Sequence, residues 1–259
     1  MLNLVKAEYL KLLTSKKIWI TLAILLFFPL YQAINSKVTV NHGGELVQVV
    51  DTVVNGATGI LMIEKNALTV LLVISAFISF FIGQEFQHGT IRNALALGRS
   101  RAHFYLSKLS VASIFTLIGV FIMTMLGMVA FTIAFGFGEV EGINNYLTYA
   151  TSAFLTLYLL ILSNVSVYVM VSFLTKSSSI ALVWSFVYTM ITGFGPTIFQ
   201  ETENFQYVTY WFTESFLFYT NMACQPDIER FPEMAIVSLI TIVLSSVIGI
   251  YFFKRTDIK

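Results

Sequence analysis

One polar segment between two apolar stretches carries a dense cluster of charged side chains. Residues 83–108 read GQEFQHGTIRNALALGRSRAHFYLSK, and their Lys, Arg, Asp and Glu residues are four bases and one acid: Arg92, Arg99, Arg101, Lys108 and Glu85. The chemistry that these residue types offer is ion pairing rather than bond making.

Turn and capping residues divide the same segment into short elements. Gly89 and Thr90 predict a turn followed by an N-cap, because a threonine hydroxyl can accept a free backbone N–H of the next turn. Residues 91–97 would then form a short helix, which Gly98 can end in the left-handed conformation. Ser100 is a second N-cap candidate and opens a helix that continues into the membrane.

No set of residues in the sequence predicts catalysis, a cofactor site or a metal site. The G-x-x-x-x-G-K-[ST] phosphate loop is absent, so the chain cannot bind ATP by that route. Metal-ligand spacings and a Ser-His-Asp set in a suitable context are also missing, and the lone His42 is typical of a solvated loop. The single Cys224 cannot form an internal disulfide. We predict that the chain is not an enzyme.

Composition places the chain in the membrane class. Of its 259 residues, 57% are hydrophobic and only 11% are charged, whereas soluble domains carry about 25% charged residues. The mean hydropathy is +0.80, and the net charge of +1 gives no reason to expect a nucleic-acid partner. We predict an all-α integral membrane protein with a single domain over residues 1–259.

The apolar stretches predict six transmembrane helices of adequate length. Their approximate ranges are residues 18–34, 67–83, 109–135, 149–175, 180–200 and 233–253. The first should be an uncleaved helix that Pro29 kinks or ends. In the fifth, the run Gly193-Phe194-Gly195-Pro196 predicts a break such as a re-entrant hairpin end.

Two flanking segments are predicted to lie on the membrane surface. Residues 1–17 are moderately amphipathic, with one arc of apolar residues (Leu2, Val5, Tyr9, Leu12 and Leu13) opposite a more polar arc (Asn3, Ala7, Glu8 and Lys11). This interfacial helix either contacts a partner as well or only binds anionic lipid. Residues 201–232 form an outer loop, whose aromatic part at 205–219 is either a membrane belt or a lid over an exit path.

The distribution of charge predicts the orientation. Twelve of the fifteen basic residues fall in the N-terminal segment, residues 84–108, Lys176 and the C-terminal tail. The other side keeps Lys37, Lys65 and Arg230. Under the positive-inside rule this distribution predicts that both termini are cytoplasmic, written N-in/C-in, as an even number of spans requires.

The predicted spans carry small and polar residues but no ionisable group near their centres, which argues against an ion-coupled carrier. One stripe on the sixth span reads as helix packing: Ser238, Thr241, Ser245 and Gly249. A second set on the fourth span is either packing or a translocation surface: Ser163, Asn164, Ser166 and Met170.

The charged segment resembles the first cytoplasmic loop of ABC type-2 exporter permeases. The resemblance consists of these residues: Glu85, Gly89, Thr90, Ile91, Arg92, Leu95, Ser100, Arg101 and Lys108. The sequence departs from the family pattern at Gly98-Arg99, where a proline and an apolar residue are usual. The resemblance implies that residues 84–108 contain a coupling helix, at 91–97, which docks on a separate ATPase. In that interpretation Glu85, Arg92 and Arg101 would anchor the coupling helix by ion pairs.

The resemblance implies that the protein is part of an ATP-driven exporter. ATP and Mg²⁺ would bind to a pair of partner ATPase subunits, and a second permease chain, identical or a sister, would complete the complex. Membrane lipid is the remaining expected partner. The apolar spans favour an amphipathic or hydrophobic cargo, with a toxic peptide first and a lipid or drug next, which would give resistance or immunity. The simplest location is a bacterial plasma membrane.

Two other functions stay open at this stage. A non-transporting scaffold or sensor partner would need no ATPase, and its basic loop would only bind anionic lipid. A secondary carrier is disfavoured by the uncharged spans.

Overall fold

The structure, a computed structural model, describes residues 2–40, 55–59, 67–96, 100–139, 143, 145–199 and 231–255. Within these residues it contains eight α-helices and no strand. They are α1 (Leu2–Thr14), α2 (Lys16–Val40), α3 (Ala67–Gln87), α4 (Thr90–Ala96), α5 (Arg101–Phe135), α6 (Tyr146–Thr175), α7 (Ser178–Phe199) and α8 (Phe231–Arg255). The all-α prediction is confirmed for this part of the chain.

Four of these helices, α3, α5, α6 and α8, are long and apolar enough to cross a membrane. Helices α1 and α2 meet at a bend of 69° and together make a fifth candidate, and the apolar part of α7 is shorter. Pro29 lies inside α2. The count of six spans and the N-in/C-in orientation stay predictions, and residues 205–219 lie outside the described residues.

The charged segment is more helical than the sequence suggests. Helix α3 continues to Gln87, so Glu85 is a helical residue rather than a loop residue, and α5 begins at Arg101, as the Ser100 cap predicts. Between α3 and α4 only His88 and Gly89 intervene, and Gly89 makes the turn with a φ of +68°. Residues 97–99, which include the predicted stop at Gly98, lie outside the described residues.

The predicted break in the fifth apolar stretch is wrong. Helix α7 runs without interruption from Ser178 to Phe199 and includes Gly193, Gly195 and Pro196. Glycine lowers helix stability but does not prevent the α conformation, and a proline removes a single backbone hydrogen bond of the ladder. The apolar context therefore carries the helix through a sequence that, read alone, predicts an interruption.

Helix α6 lies at the centre of the bundle and makes hydroxyl contacts with three neighbours. Ser245 of α8 donates to Ser166 Oγ at 2.8 Å. The hydroxyls of Tyr168 and Thr189 of α7 are 2.7 Å apart, and those of Ser113 on α5 and Tyr158 are also 2.7 Å apart. Small hydroxyl side chains permit close approach and satisfy one another in an apolar surrounding, which fixes the register of these helices.

The bundle has two distinct ends. The first, which we call the charged end, holds α1, the last turn of α3, α4 and the first two turns of α5. At the opposite end, the segment 55–59 packs on the end of α5, where the Gly56 and Ala57 N–H groups donate to Gly136 O at 2.9 Å and Phe137 O at 2.8 Å. Tyr146 of α6 donates to the Ala57 carbonyl there.

Helix α8 approaches α5 through a glycine. A Cβ atom placed on Gly249 would lie 2.5–2.7 Å from three atoms of the Tyr105 side chain, including its Oη. Tyr105 is fully buried and in contact with the Phe173 ring. The side chain therefore has no room to move away, and only glycine fits at this crossing.

We predict that Gly249→Ala destabilises the bundle by about 1–3 kcal/mol, the usual cost of overpacking a filled core. The matched control is Gly119→Ala in α5, where an added Cβ would meet only Leu25 Cδ1 at 3.9 Å. Thermal unfolding in detergent, followed by size-exclusion fluorescence, should show a lower Tm for the first variant and an unchanged or higher Tm for the second. Equal Tm values would contradict the close approach.

Candidate functional site

The charged end is built around a buried lysine. The side chain of Lys108, in the second turn of α5, has no exposed surface. Its Nζ is paired with Glu8 Oε2 of α1 and lies 2.6 Å from Glu85 Oε1 of α3. Lys11 of α1 also pairs with Glu85 Oε1. Three helices that are distant in sequence are thus joined by one group of ion pairs.

The charges of this group balance, and its surroundings are partly aromatic. Two ammonium groups face two carboxylates whose side chains are 10% and 6% exposed. The Phe81 ring centroid lies 4.3 Å and the Phe104 centroid 5.6 Å from Lys108 Nζ, close enough for cation–π attraction. We call Glu8, Lys11, Glu85 and Lys108 the ionic cluster.

The face of α1 that packs on the bundle is the one that carries Glu8 of the ionic cluster. Leu4, Glu8 and Leu12, spaced four residues apart, are the buried positions, while Leu13 is 38% exposed. The face that packs on the bundle therefore differs from the apolar arc of the sequence, which contains Leu13 and has Glu8 on its opposite side. Because Glu8 reaches the buried Lys108, the helix is rotated so that an acidic residue lies inside.

Helix α4 is linked to Glu85 of the ionic cluster through Thr90, and Ile91 packs into the hydrophobic core. Thr90 is the first helical residue, and its hydroxyl donates to the Glu85 carbonyl at 3.3 Å instead of accepting an N–H as predicted for an N-cap. Ile91 is buried and Leu95 half-buried, whereas Arg92 and Ala96 are exposed. Arg92 and Ala96 lie one turn apart and so form the outward face of α4.

Arg101 contacts a different part of the bundle from the one expected. Its guanidinium donates to the carbonyls of Phe253 and Lys254, each at 3.0 Å, and so satisfies the last turn of α8. The ion pairs of Glu85 in the described residues are with Lys11 and Lys108. The anchoring of α4 by ion pairs of Arg92 and Arg101 stays a prediction. Ser100 does cap α5, since its hydroxyl accepts the N–H of His103 at 3.2 Å.

The residues proposed for packing or transport lie inside the bundle. On α8 the four small residues are buried: Ser238, Thr241, Ser245 and Gly249. On α6 the side chains of Ser163, Asn164 and Ser166 are buried and Met170 is half-buried. Ser166 receives the hydrogen bond from Ser245, so at this point the two sets pack on each other.

A cavity of about 160 Å³ opens beside the ionic cluster. It lies where the bend between α1 and α2 faces the turn between α3 and α4. Lys11 and Glu85 contribute to its wall, and so do residues outside the ionic cluster, among them Lys17, Phe80 and His88. Lys17 donates to the amide oxygen of Gln84 across this gap.

Sequence reasoning found Glu85 and Lys108 but missed Glu8, Lys11 and Lys17 as parts of the site. A signal for Glu8 was present, because Leu4, Glu8 and Leu12 share one face at a spacing of four residues. No local pattern indicated that Glu8 would meet Lys108.

Several apolar helices of membrane length, with ionic side chains gathered at one end, define a multi-pass membrane protein. Residues 4–192 match the family described as ABC-2 family transporter protein, and the chain belongs to this family. The resemblance drawn from the charged segment is thereby confirmed for the family. No curated protein and no solved structure matches the chain.

Membership of this family defines the general nature of the chain. ABC-2 permeases are membrane subunits, typically non-catalytic, and they generally work with an ATPase subunit. The matched range includes α1 to α6 and most of α7, and therefore the whole ionic cluster, whereas α8 lies outside it.

We predict that Lys108→Met destabilises the protein by about 3–5 kcal/mol, because it leaves buried carboxylates without their cation. Replacing the three buried charges together, with Lys108→Met, Glu8→Leu and Glu85→Leu, should restore most of the lost stability, since an apolar group of similar volume has no ion to desolvate. Thermal unfolding in detergent measures both variants.

The control for this series is Lys16→Met, a lysine that is exposed at the start of α2. It should change the Tm little, as exposed charges do. If Lys108→Met unfolded at the same temperature as Lys16→Met, the buried ionic cluster would not exist in solution.

Proposed function

We propose that this chain is the permease subunit of an ATP-driven ABC exporter, and that a separate pair of ATPase subunits binds at the charged end. The observation that supports the proposal is the family match over residues 4–192. This range includes α4, a short helix with an exposed face, next to the ionic cluster. ATP and Mg²⁺ would be held by the partner subunits.

The docking surface in this proposal is the outward face of α4. Arg92 and Ala96 are free to contact a partner, while Ile91 packs into the chain and Thr90 hydrogen-bonds the Glu85 carbonyl. A push on α4 therefore reaches Glu85, and through it both Lys11 of α1 and Lys108 of α5. Movement of the ATPase would be transmitted to several membrane helices at once.

The charge distribution and the hydropathy of the chain support a topology and a class of cargo, to which we add a second permease chain. The basic residues of the charged end support a cytoplasmic location for it, with six spans and both termini inside. A second permease chain would allow two ATPases to dock. The apolar helices favour an amphipathic or hydrophobic cargo, with a toxic peptide as the first candidate, exported through a bacterial plasma membrane.

The second candidate function is a membrane scaffold without an ATPase. The basic residues near the charged end would then serve only to bind anionic lipid. Capture of the tagged chain from its native membrane in mild detergent, with mass spectrometry of the retained proteins, separates the two functions. A near-stoichiometric partner with a phosphate loop is expected for the exporter and would be missing for the scaffold.

We predict that Arg92→Glu lowers the amount of captured ATPase at least about tenfold, since a charge reversal at the centre of an interface typically costs 2 kcal/mol or more. The matched control is Lys254→Glu, which reverses another exposed cation, in the last turn of α8. Both variants should unfold at the wild-type temperature.

An equal loss of the ATPase in the two variants would show that net charge, rather than α4, determines its binding. Unchanged capture by Arg92→Glu would show that the ATPase docks elsewhere.

A separate prediction concerns orientation. In a Cys224→Ser background, Lys6→Cys at the charged end and Phe137→Cys at the opposite end introduce single thiols at exposed positions. A membrane-impermeant maleimide should label Phe137→Cys in intact cells and Lys6→Cys only after permeabilisation. The reverse pattern would place the charged end outside.

A further inference from the structure

We propose that the cavity beside the ionic cluster binds the headgroup of an anionic phospholipid. The proposal concerns one defined site and is independent of whether an ATPase binds. It rests on the position of the cavity, on the charges of its wall and on the aromatic residues beneath them.

The cavity lies between two chain reversals at the charged end. Ser15, at the break between α1 and α2, is on one side, and His88 and Thr90, at the turn between α3 and α4, are on the other. Each reversal joins an apolar helix to a short helix at the end of the bundle. In a membrane protein this is the level at which lipid headgroups lie.

The cavity wall carries more positive charge than negative charge. Lys11 and Lys17 both line it, and Lys11 is half-exposed, so its ammonium group can reach a ligand. The one acidic side chain in the wall is Glu85, which is already paired with Lys108 behind it. Lys17 donates to the neutral amide of Gln84, and among the described residues no carboxylate lies within ion-pair distance of it.

Below the lysines, the wall becomes aromatic. Phe77, Phe80 and Phe81 line the deeper part of the cavity, and Phe80 is 37% exposed. From Gln84 to Phe77 the wall follows α3 for seven residues, which is about 10 Å at 1.5 Å per residue. A polar rim above an apolar wall of this length fits a phosphodiester followed by the first part of its acyl chains.

This polarity also distinguishes a lipid from a small soluble anion. Inorganic phosphate or glycerol phosphate could contact the lysines but would leave the apolar wall, including the exposed Phe80, without a ligand. A zwitterionic lipid would bring its own cation next to Lys11 and Lys17, where the charges repel. An anionic lipid satisfies both parts of the wall.

A bound headgroup would also affect the ionic cluster. Its phosphate would attract the ammonium group of Lys11, which otherwise pairs with Glu85. The lipid would thus connect α1 and α2 to the turn that carries α4, and its binding would be sensed by Glu85. The site is therefore placed to make the position of α4 dependent on the lipid composition of the membrane.

The experiment measures retention of labelled phosphatidylglycerol by the purified full-length chain in detergent at high salt. About 1 M salt reduces the Debye length to about 3 Å, which suppresses general attraction to a basic surface. Wild type should retain the lipid, and phosphatidylcholine with the same acyl chains should fail to displace it. Glycerol phosphate should compete only at far higher concentration.

Two variants test the two parts of the wall. Lys17→Gln should weaken retention about tenfold, the usual worth of one charge-assisted hydrogen bond, whereas the matched control Lys16→Gln, an exposed neighbour outside the cavity, should bind like wild type. Phe80→Ala should weaken lipid binding without changing the weak competition by glycerol phosphate. Each variant is compared only after its Tm and elution volume match those of wild type.

Three results would overturn the proposal. Equal losses in Lys16→Gln and Lys17→Gln would mean that the lipid is held by general surface charge. Equal displacement by phosphatidylcholine would mean that the headgroup charge is not recognised. Displacement by glycerol phosphate at the same concentration as lipid would assign the cavity to a soluble anion.

Discussion

The buried ammonium group of Lys108 is the constraint on which the charged end depends. An unpaired ion in such a place is very costly, and its carboxylate partners must come from other helices because α5 supplies none nearby. Glu8 and Glu85 meet this requirement and thereby fix the rotation of α1 and the length of α3. A buried ion pair is weak evidence for added stability, but it does specify which helices meet and in what register.

At the charged end, the ionic cluster and the neighbouring aromatic contacts connect different sets of helices. Phe104, Phe173 and Phe253 pack edge-on or tilted against one another and connect α5, α6 and α8, while the ion pairs connect α1, α3 and α5. Helix α4 is attached mainly through Thr90 and Ile91. At this end the bundle thus has an extensively packed base, with α4 as a short helix on its surface.

Much of the fold could be read from the sequence, because long apolar runs and helix caps are local signals. The runs indicated where helices form, Ser100 indicated the start of α5, and Gly89 indicated the turn before α4. The site was less predictable, since Glu8 and Lys108 are 100 residues apart and neither has a neighbour in sequence that reveals the other. The break expected at Gly193 failed for the opposite reason, because a strong local signal was overridden by its apolar context.

The distance in sequence between Glu8 and Lys108 has a consequence for biosynthesis. Helix α1 is made first, but the partner that holds its buried carboxylate is made 100 residues later. Until α5 has emerged and inserted, α1 can contact α2 and can pair with Glu85 of α3 through Lys11, but Glu8 lacks its partner. Helix α1 therefore reaches its final place only after α5 has been inserted.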